Sequence, residues 1–473
     1  MSLLISGATI IDGVSDAPLA GHSIWIEGRR IKAITRGAEV ERVSGARTIN
    51  AHGKYIIPGL MDANVHLMGD VRLENVVRYE GRYEDLILEA AQIALKSGLT
   101  TVFDTFGPRQ PLISVRDKIN SGEVPGSRIF CAGNIIGLDG VISRDFNARA
   151  LDVASGALIE RLNGIWASNV GPALSWMTPE QVAREVRAYI AKGIDFVKYA
   201  SSEHRWGDPT TFLVFSAQSQ AAIVNAAHEA GITAQAHATS VESLRVAVEA
   251  GCDLIQHCNI TGPVPIPDST LELIAQRGTG AVVFPFTRRR FDWILEKCPV
   301  DRPYFSTSDT NCRNLIQAGA RVLLATDAFV MSSEFLTDPV LTQYWSAPGE
   351  DNLAELGQGH FHWLKAMEEK GFPPMELLRA ATRNIARAYG KDADLGTLQP
   401  GKLADLLILE KNPLESADNY RSIDTIIRDG AVVDRTPLPL NPLLTLPAAA
   451  ASAETLAYRA QRHLGNSRHP CCV

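Results

Sequence analysis

Over residues 2–59 apolar and polar positions alternate in short runs. LLISGATII, SIWIEGRRIKAIT and ARTINAHGKYII are separated by Gly, Asp and Pro turns, which predicts an all-β segment. The same character returns in GKLADLLILE at 401–410 and IDTIIRDGAVVD at 423–434. Neither stretch is long enough to cover a sheet alone. One small β-sandwich built from 1–59 plus 399–440 is therefore expected, with the middle of the chain inserted into it. In that middle the rhythm changes. Strand-like runs fall at 55–63, 99–105, 127–133, 195–201, 232–238, 253–258, 280–286 and 321–328. Between them lie amphipathic stretches such as YEDLILEAAQIALKSG and TPEQVAREVRAYIAKG, each closing on the Gly that ends a helix. This α/β alternation predicts parallel strands closed into a distorted (β/α)8 TIM barrel over 60–398. A doubly wound sheet is the alternative, but the Gly-rich phosphate turn it would carry after the first strand is not present.

Three stretches stand outside this rhythm. Residues 135–177 are weakly periodic and rich in Gly and Asn, which predicts a long loop on the catalytic face between the third and fourth barrel strands. The basic run 288–290 reads as a solvated loop, with an anion site as the alternative. Residues 441–473 follow a Pro-rich tether and read as an Ala-rich helix with a tail, expected to dock on a neighbour or to be partly disordered.

Composition changes the picture little. The 473 residues are 45% hydrophobic and 21% charged, as in ordinary globular proteins. A net charge of −7 argues against a nucleic-acid surface. The N-terminus lacks a signal peptide's basic region, and no apolar run reaches the ~20 residues of a membrane helix. Of seven scattered cysteines without zinc-ribbon spacing, most read as buried free thiols in a reducing compartment. A cytoplasmic chain is expected, one that acts on a small molecule and has no nucleic-acid or membrane partner.

The chemistry lies at the strand ends. Asn64 and His66 follow the first strand and, two apart, point to the same side. Lys198 lies on the fourth strand, His237 and His257 end the fifth and sixth, and Asp327 closes the eighth. In a barrel these ends converge on the face that carries active sites. Converging imidazoles and carboxylates suit a borderline divalent metal, which lowers the pKa of a water towards about 7. Asp327 is the expected proton shuttle. Lys198 is the odd member, since an ammonium ligates a metal only after carboxylation; the plainer reading is a salt-bridge partner. Asn64 is either a ligand or a hydrogen bonder beside one. His204 in SSEHRW faces either substrate or solvent. Phe284, Phe286 and Phe329, after the seventh and eighth strands, and Trp166 and Trp176, in the long loop, are candidates for an apolar pocket. His360 and His362, two apart on a helix, do not share a face and read as non-ligands.

Taken together, ISGATIIDG, PGLMDANVH, KSGLTTVFD, DFVKYASS, AQAHAT, IQHC, ATDA and LGTLQPGKLADLLIL resemble the amidohydrolase superfamily over nearly the whole chain, closest to its imidazolonepropionase-like and prolidase-like branch. The resemblance implies metal ligands at His66, Lys198, His237, His257 and Asp327, a Lys198 that is commonly carboxylated, and a homo-oligomer. The superfamily usually has His-x-His after the first strand; here Asn64 takes the first place. An uncharged amide ligand makes one metal the expectation, zinc by default, with cobalt, iron or manganese open. Asn-x-His resembles the phenylurea and molinate hydrolases. That implies hydrolysis of a carbonyl C–N bond in a phenylurea such as diuron or linuron, releasing the aniline, with His257 and the metal polarising the carbonyl, or hydrolysis of the thiocarbamate molinate. Rival readings are a dipeptidase, cyclic amidase or deaminase on the same site, and a scaffold protein that has lost its metal.

Overall fold

The barrel strands are short and buried on both faces, and what must cover those faces shapes the rest of the chain. The computed structural model describes residues 2–37, 46–69, 72–148, 150–203, 211–298, 301–337, 347 and 349–446. Five strands open the chain: β1 (Ser2–Ile10), β2 (Leu19–Glu27), β3 (Arg30–Arg36), β4 (Arg47–Asn50) and β5 (Tyr55–Pro58). The middle carries β6 (Leu60–His66), β7 (Leu99–Asp104), β8 (Arg128–Cys131), β9 (Val197–Ala200), β10 (Ala234–His237), β11 (Leu254–Gln256), β12 (Gly280–Val283), β13 (Arg321–Leu324) and β14 (Ala328–Phe329). Three strands follow: β15 (Leu406–Leu409), β16 (Ile423–Arg428) and β17 (Ala431–Val432).

The two chain ends meet in one sheet of order β17-β16-β15-β5-β1-β2-β3, with β4 also paired to β1. Strand β1 is shared. Leu3–Ser6 pair with β4 and Thr9–Ile10 with β5, while bulges let β2 follow both halves. Gly401 N donates to Ile31 O at 2.8 Å and Ala404 N to Arg29 O at 2.9 Å, which brings the β3 edge back to the approach of β15. The sheet thereby encloses Ile5, Ile10, Ile24, Ile26, Ile56, Leu406, Ile408 and Ile427.

Strands β6–β13 form the distorted (β/α)8 barrel as two parallel arcs, β6-β7-β8 and β9 to β13. At one seam Ile136, just past β8, donates to Lys198 O at 2.8 Å and accepts from Ala200 N at 3.0 Å. At the other, β14 pairs with β6, and Asp327 N donates to Asn64 O at 2.8 Å. Strands β7, β9, β10 and β12 are buried along their whole length, as parallel strands covered by helices must be. Local signals set those helices. Thr178 and Gln181 cap the helix Pro179–Ile190 reciprocally. Gly278, at φ +65°, ends Asp268–Arg277 in the left-handed conformation.

The barrel is pinned to the end sheet by charge. Arg128, on β8, donates to Asp429 at 2.6 Å and to Asp405 at 3.2 Å, with side-chain exposures of 8%, 14% and 5%. Arg29 reaches the second oxygen of Asp429 at 2.9 Å.

The structure corrects two expectations, the loop at 135–177 and the solvated basic run. The 135–177 stretch holds helices at Ala150–Val153 and Gly156–Ala167 and a 3-10 turn at Pro172–Trp176. Its small residues hide the period, but Ser155 caps the longer helix with its side chain. The basic run 288–290 is the first turn of Arg288–Lys297, capped by Thr287, with Arg290 buried over Trp293. Cys131, Cys252, Cys258 and Cys312 are free and buried, whereas Cys298 is disulfide-bonded. No helix among the described residues is long and apolar enough to cross a membrane. The expected Ala-rich helix and tail lie outside the described residues; the tether before them, to Leu446, rests on the barrel.

Candidate active site

Strand β6 delivers two side chains to the barrel mouth. His66 Nε2 lies 2.8 Å from Asp327 Oδ1, and its Nδ1 lies 3.3 Å from Phe106 O. Both are partly open, with side-chain exposures of 18% for His66 and 30% for Asp327. His237 ends β10 and packs edge-to-face on His257, with ring centroids 4.7 Å apart; His257 in turn stacks on Phe284 at 5.1 Å. His257 and Asp327 both hold left-handed backbone, at φ 57° and 56°. A non-glycine residue there stores about 1–3 kcal/mol of strain, which persists where the surroundings over-determine it and clusters at working sites.

Charge ties the group together. Burial pushes the Asp327 carboxyl up, but His66, His257, the His66 hydrogen bond and Lys198 outweigh it and hold it well below the usual carboxylate range. Burial lowers the Lys198 amine to about 8, opposed by Asp327 and Asp104.

Asn64 is fully buried, and both ends of its amide are engaged. Its Nδ2 donates to Gln256 Oε1 at 3.1 Å, and its Oδ1 accepts from the Thr105 hydroxyl. Thr105 Oγ1 accepts from Lys198 Nζ at 3.0 Å. Below, Gln256 donates to Gln235, and Tyr389 donates to Ala63 O at 2.7 Å. A buried polar layer thus orients Asn64 towards Thr105 and Lys198. Ligation by its oxygen would require that oxygen to leave Thr105.

Four residues at this site are not singled out by the sequence, although Asp104 ends β7 with a carboxylate. Asp62 Oδ2 accepts from Thr326 Oγ1 at 2.7 Å and its Oδ1 from Asn64 N at 3.0 Å, which locks β6 to the segment carrying Asp327. Burial pushes its carboxyl up to about 7. Asp104 accepts from Leu67 N at 2.7 Å and is likewise pushed up to about 7 by burial. Thr105 and Gln256 complete the layer. Their signal in sequence is a buried polar residue in or just past a barrel strand: Asp62 within β6, Asp104 and Gln256 ending β7 and β11, and Thr105 one residue beyond β7.

The remaining candidates separate. Phe329, partly buried, lies 6.5 Å from Phe335 beside the mouth. Phe286 packs instead on Phe305 at 6.0 Å in a cluster with Ile294 and Cys298. Trp166 is fully buried and meets Tyr83 edge-on at 5.5 Å, so it is core under the long segment; Trp176 is 92% exposed. His204 lies outside the described residues. His360 and His362 are buried in the helix Gly359–Glu369, and burial lowers both to about 3.

A model of the amidohydrolase family matches residues 55–433. The chain belongs to that family. It is a hydrolase of the superfamily, whose members generally use a divalent metal. A solved molinate hydrolase is 34% identical, with a TM-score of 0.88 and coverage of 95% of this chain and 98% of that one. Phenylurea hydrolase B is 33% identical at the same TM-score, over 94% of this chain and all of the other. The ochratoxinase of Aspergillus niger is 24% identical over 428 residues, 87% of this chain and 82% of that enzyme.

Among the described residues no three His, Cys, Asp or Glu side chains already form a group able to hold a metal ion. Asp327 and His66 are bonded to each other directly. The donor chemistry nonetheless fits this amidohydrolase site. His66, His237, His257 and Asp327 offer three imidazoles and one carboxylate at one mouth, the donor types a borderline divalent ion takes.

Proposed function

We propose that this amidohydrolase cleaves a carbonyl C–N bond of a neutral urea or carbamate-type substrate, specifically a phenylurea, releasing its aniline. One observation carries the reading: likeness to phenylurea hydrolase B and molinate hydrolase runs through essentially the full chain at 33% and 34% identity. The site supports it through the Asn64-Val65-His66 segment and an aromatic rim of Phe284 and Phe329.

His66, His237, His257 and Asp327 would hold a single divalent ion, zinc by default, joined by Lys198 if it is carboxylated. When bound, that ion supplies Lewis acidity, lowering the pKa of a water to about 7 and polarising the carbonyl oxygen. Asp327, open to the mouth and held as a carboxylate, takes the proton of the attacking water and returns it to the departing nitrogen. His257, fixed between His237 and Phe284, adds to the polarisation of the carbonyl. The lowered Lys198 pKa leaves part of the amine neutral at physiological pH, the form to which CO2 adds. Thr105 and Asn64 hold that amine in place.

The test is to assay diuron, molinate and an Xaa-Pro dipeptide side by side with the purified chain. Aniline release from diuron, with the dipeptide intact, is the expected result. Cleavage of the dipeptide alone would overturn the reading.

A further inference from the structure

The helix Tyr83–Lys96 carries Glu89, Gln92 and Lys96 along one side. On an outer barrel helix such a stripe reads as solvated surface, yet Glu89 and Gln92 are 2% and 1% exposed. The end of the chain covers them. Lys96 Nζ donates to Leu438 O at 2.6 Å, and Leu440 N donates to Gln92 Oε1 at 2.8 Å. Leu443 N, Leu444 N and Thr445 N donate to the Glu89 carboxylate at 2.8, 2.9 and 3.0 Å, and Thr445 Oγ1 adds a fourth bond at 2.6 Å. Residues 438–445 therefore run antiparallel to the helix as a strap. Its anchor is a buried carboxylate with charge-assisted hydrogen bonds, the strong kind.

The strap ends at the barrel mouth. Leu444 is 3% exposed, and its Cδ1 lies 2.6 Å from where a Cβ on Gly69 would stand. Gly69, at φ +80°, sits in the turn that leaves His66 and donates its N–H to His66 O at 3.2 Å. Leu444 O accepts from Ser333 N at 2.8 Å, in the segment that follows Asp327 and β14. The same two segments also meet directly: Arg72 donates to Ser332 Oγ at 3.0 Å and lies over the Phe335 ring at 5.4 Å. Leu444 is thus wedged between the segment leaving His66 and the segment leaving Asp327.

We propose that Leu444 and Glu89 are positioning residues for the active site, and that the 443–445 end of the strap, not its 438–440 end, sets the spacing between His66 and Asp327. The turnover arm of the test below rests on the phenylurea reading; the metal arm does not. Leu438, buried at the far end of the same strap, is the control.

The experiment uses the full chain. It compares Leu444→Ala, Leu444→Met, Glu89→Gln and Leu438→Ala for Zn2+ affinity by chelator competition, for aniline release from diuron and for unfolding midpoint. Leu444→Ala and Glu89→Gln should weaken zinc binding and lower kcat by about 10–100-fold, the range seen when groups supporting metal ligands are removed. Leu438→Ala should lower the unfolding midpoint and leave zinc affinity and kcat per folded chain unchanged. Leu444→Met should restore both. The proposal is overturned if Leu444→Ala binds zinc as the native chain does, or if Leu438→Ala loses as much zinc affinity as Leu444→Ala. A native chain that binds zinc but releases no aniline sinks the substrate reading and leaves the zinc comparison to judge the strap.

Discussion

Replacing Asp327 with asparagine is expected to lower kcat for diuron by about 10²–10⁴-fold, the usual contribution of a general acid–base group. The substitution removes the proton acceptor, and with it an anionic metal donor, at little change of shape. Asparagine tolerates the left-handed backbone that Asp327 holds at φ 56°, and it matches aspartate in shape. The bond from Asp327 N to Asn64 O is made by the main chain and survives. What is lost is a carboxylate that His66, His257 and Lys198 keep ionised against the cost of burial. An amide in its place does not take a proton from water. Aniline release measured beside the circular dichroism of the variant checks this. Native folding with undiminished kcat would remove Asp327 from the mechanism.

Replacing Arg128 with methionine is expected to cost about 3–5 kcal/mol of folding stability, because it strands buried charge. Asp405 and Asp429, 5% and 14% exposed, would lose the cation that bonds them from the barrel. The loss should depend on pH. Burial pushes the Asp429 carboxyl up, but Arg128, Arg428 and Arg29 outweigh it and hold it below the ordinary carboxylate range. A carboxyl lowered in the folded state contributes stability above its unfolded pKa of about 3.9, and that contribution drains as pH falls through the native value. The gap between native chain and Arg128→Met should therefore be full at neutral pH and narrow on acidification below about pH 4. Denaturant titrations across that range measure it. A gap that stays constant or widens would contradict the assignment.

How much of this is legible in sequence depends on what each residue answers to. The barrel strands announce themselves because burial on both faces leaves them mostly apolar, and His66, His237, His257 and Asp327 stand out at their ends as donors. The region between β8 and β9 is less legible because a helix such as Gly156–Ala167, with glycines at both Gly156 and Gly164, gives a weak period. Trp166 looks like a pocket wall in sequence and is core, because its neighbour Tyr83 comes from a helix far away in the chain. Asn64 is legible as a departure from His-x-His, but its work is not, since its partners Thr105 and Gln256 come from the ends of two other barrel units, past β7 and on β11. The strap on Glu89 is the least legible feature. A polar helix stripe reads as surface until the chain end is seen lying on it.

The central claim is a metal-dependent hydrolase centred on His66, His237, His257 and Asp327. The most direct measurement is aniline release from diuron by the chain after dialysis against a chelator and again during titration with Zn2+. Activity should vanish on removal of the metal and return in proportion to added zinc, saturating at a single ion per chain. A chelated, metal-free chain that releases aniline as fast as the untreated protein would contradict the account.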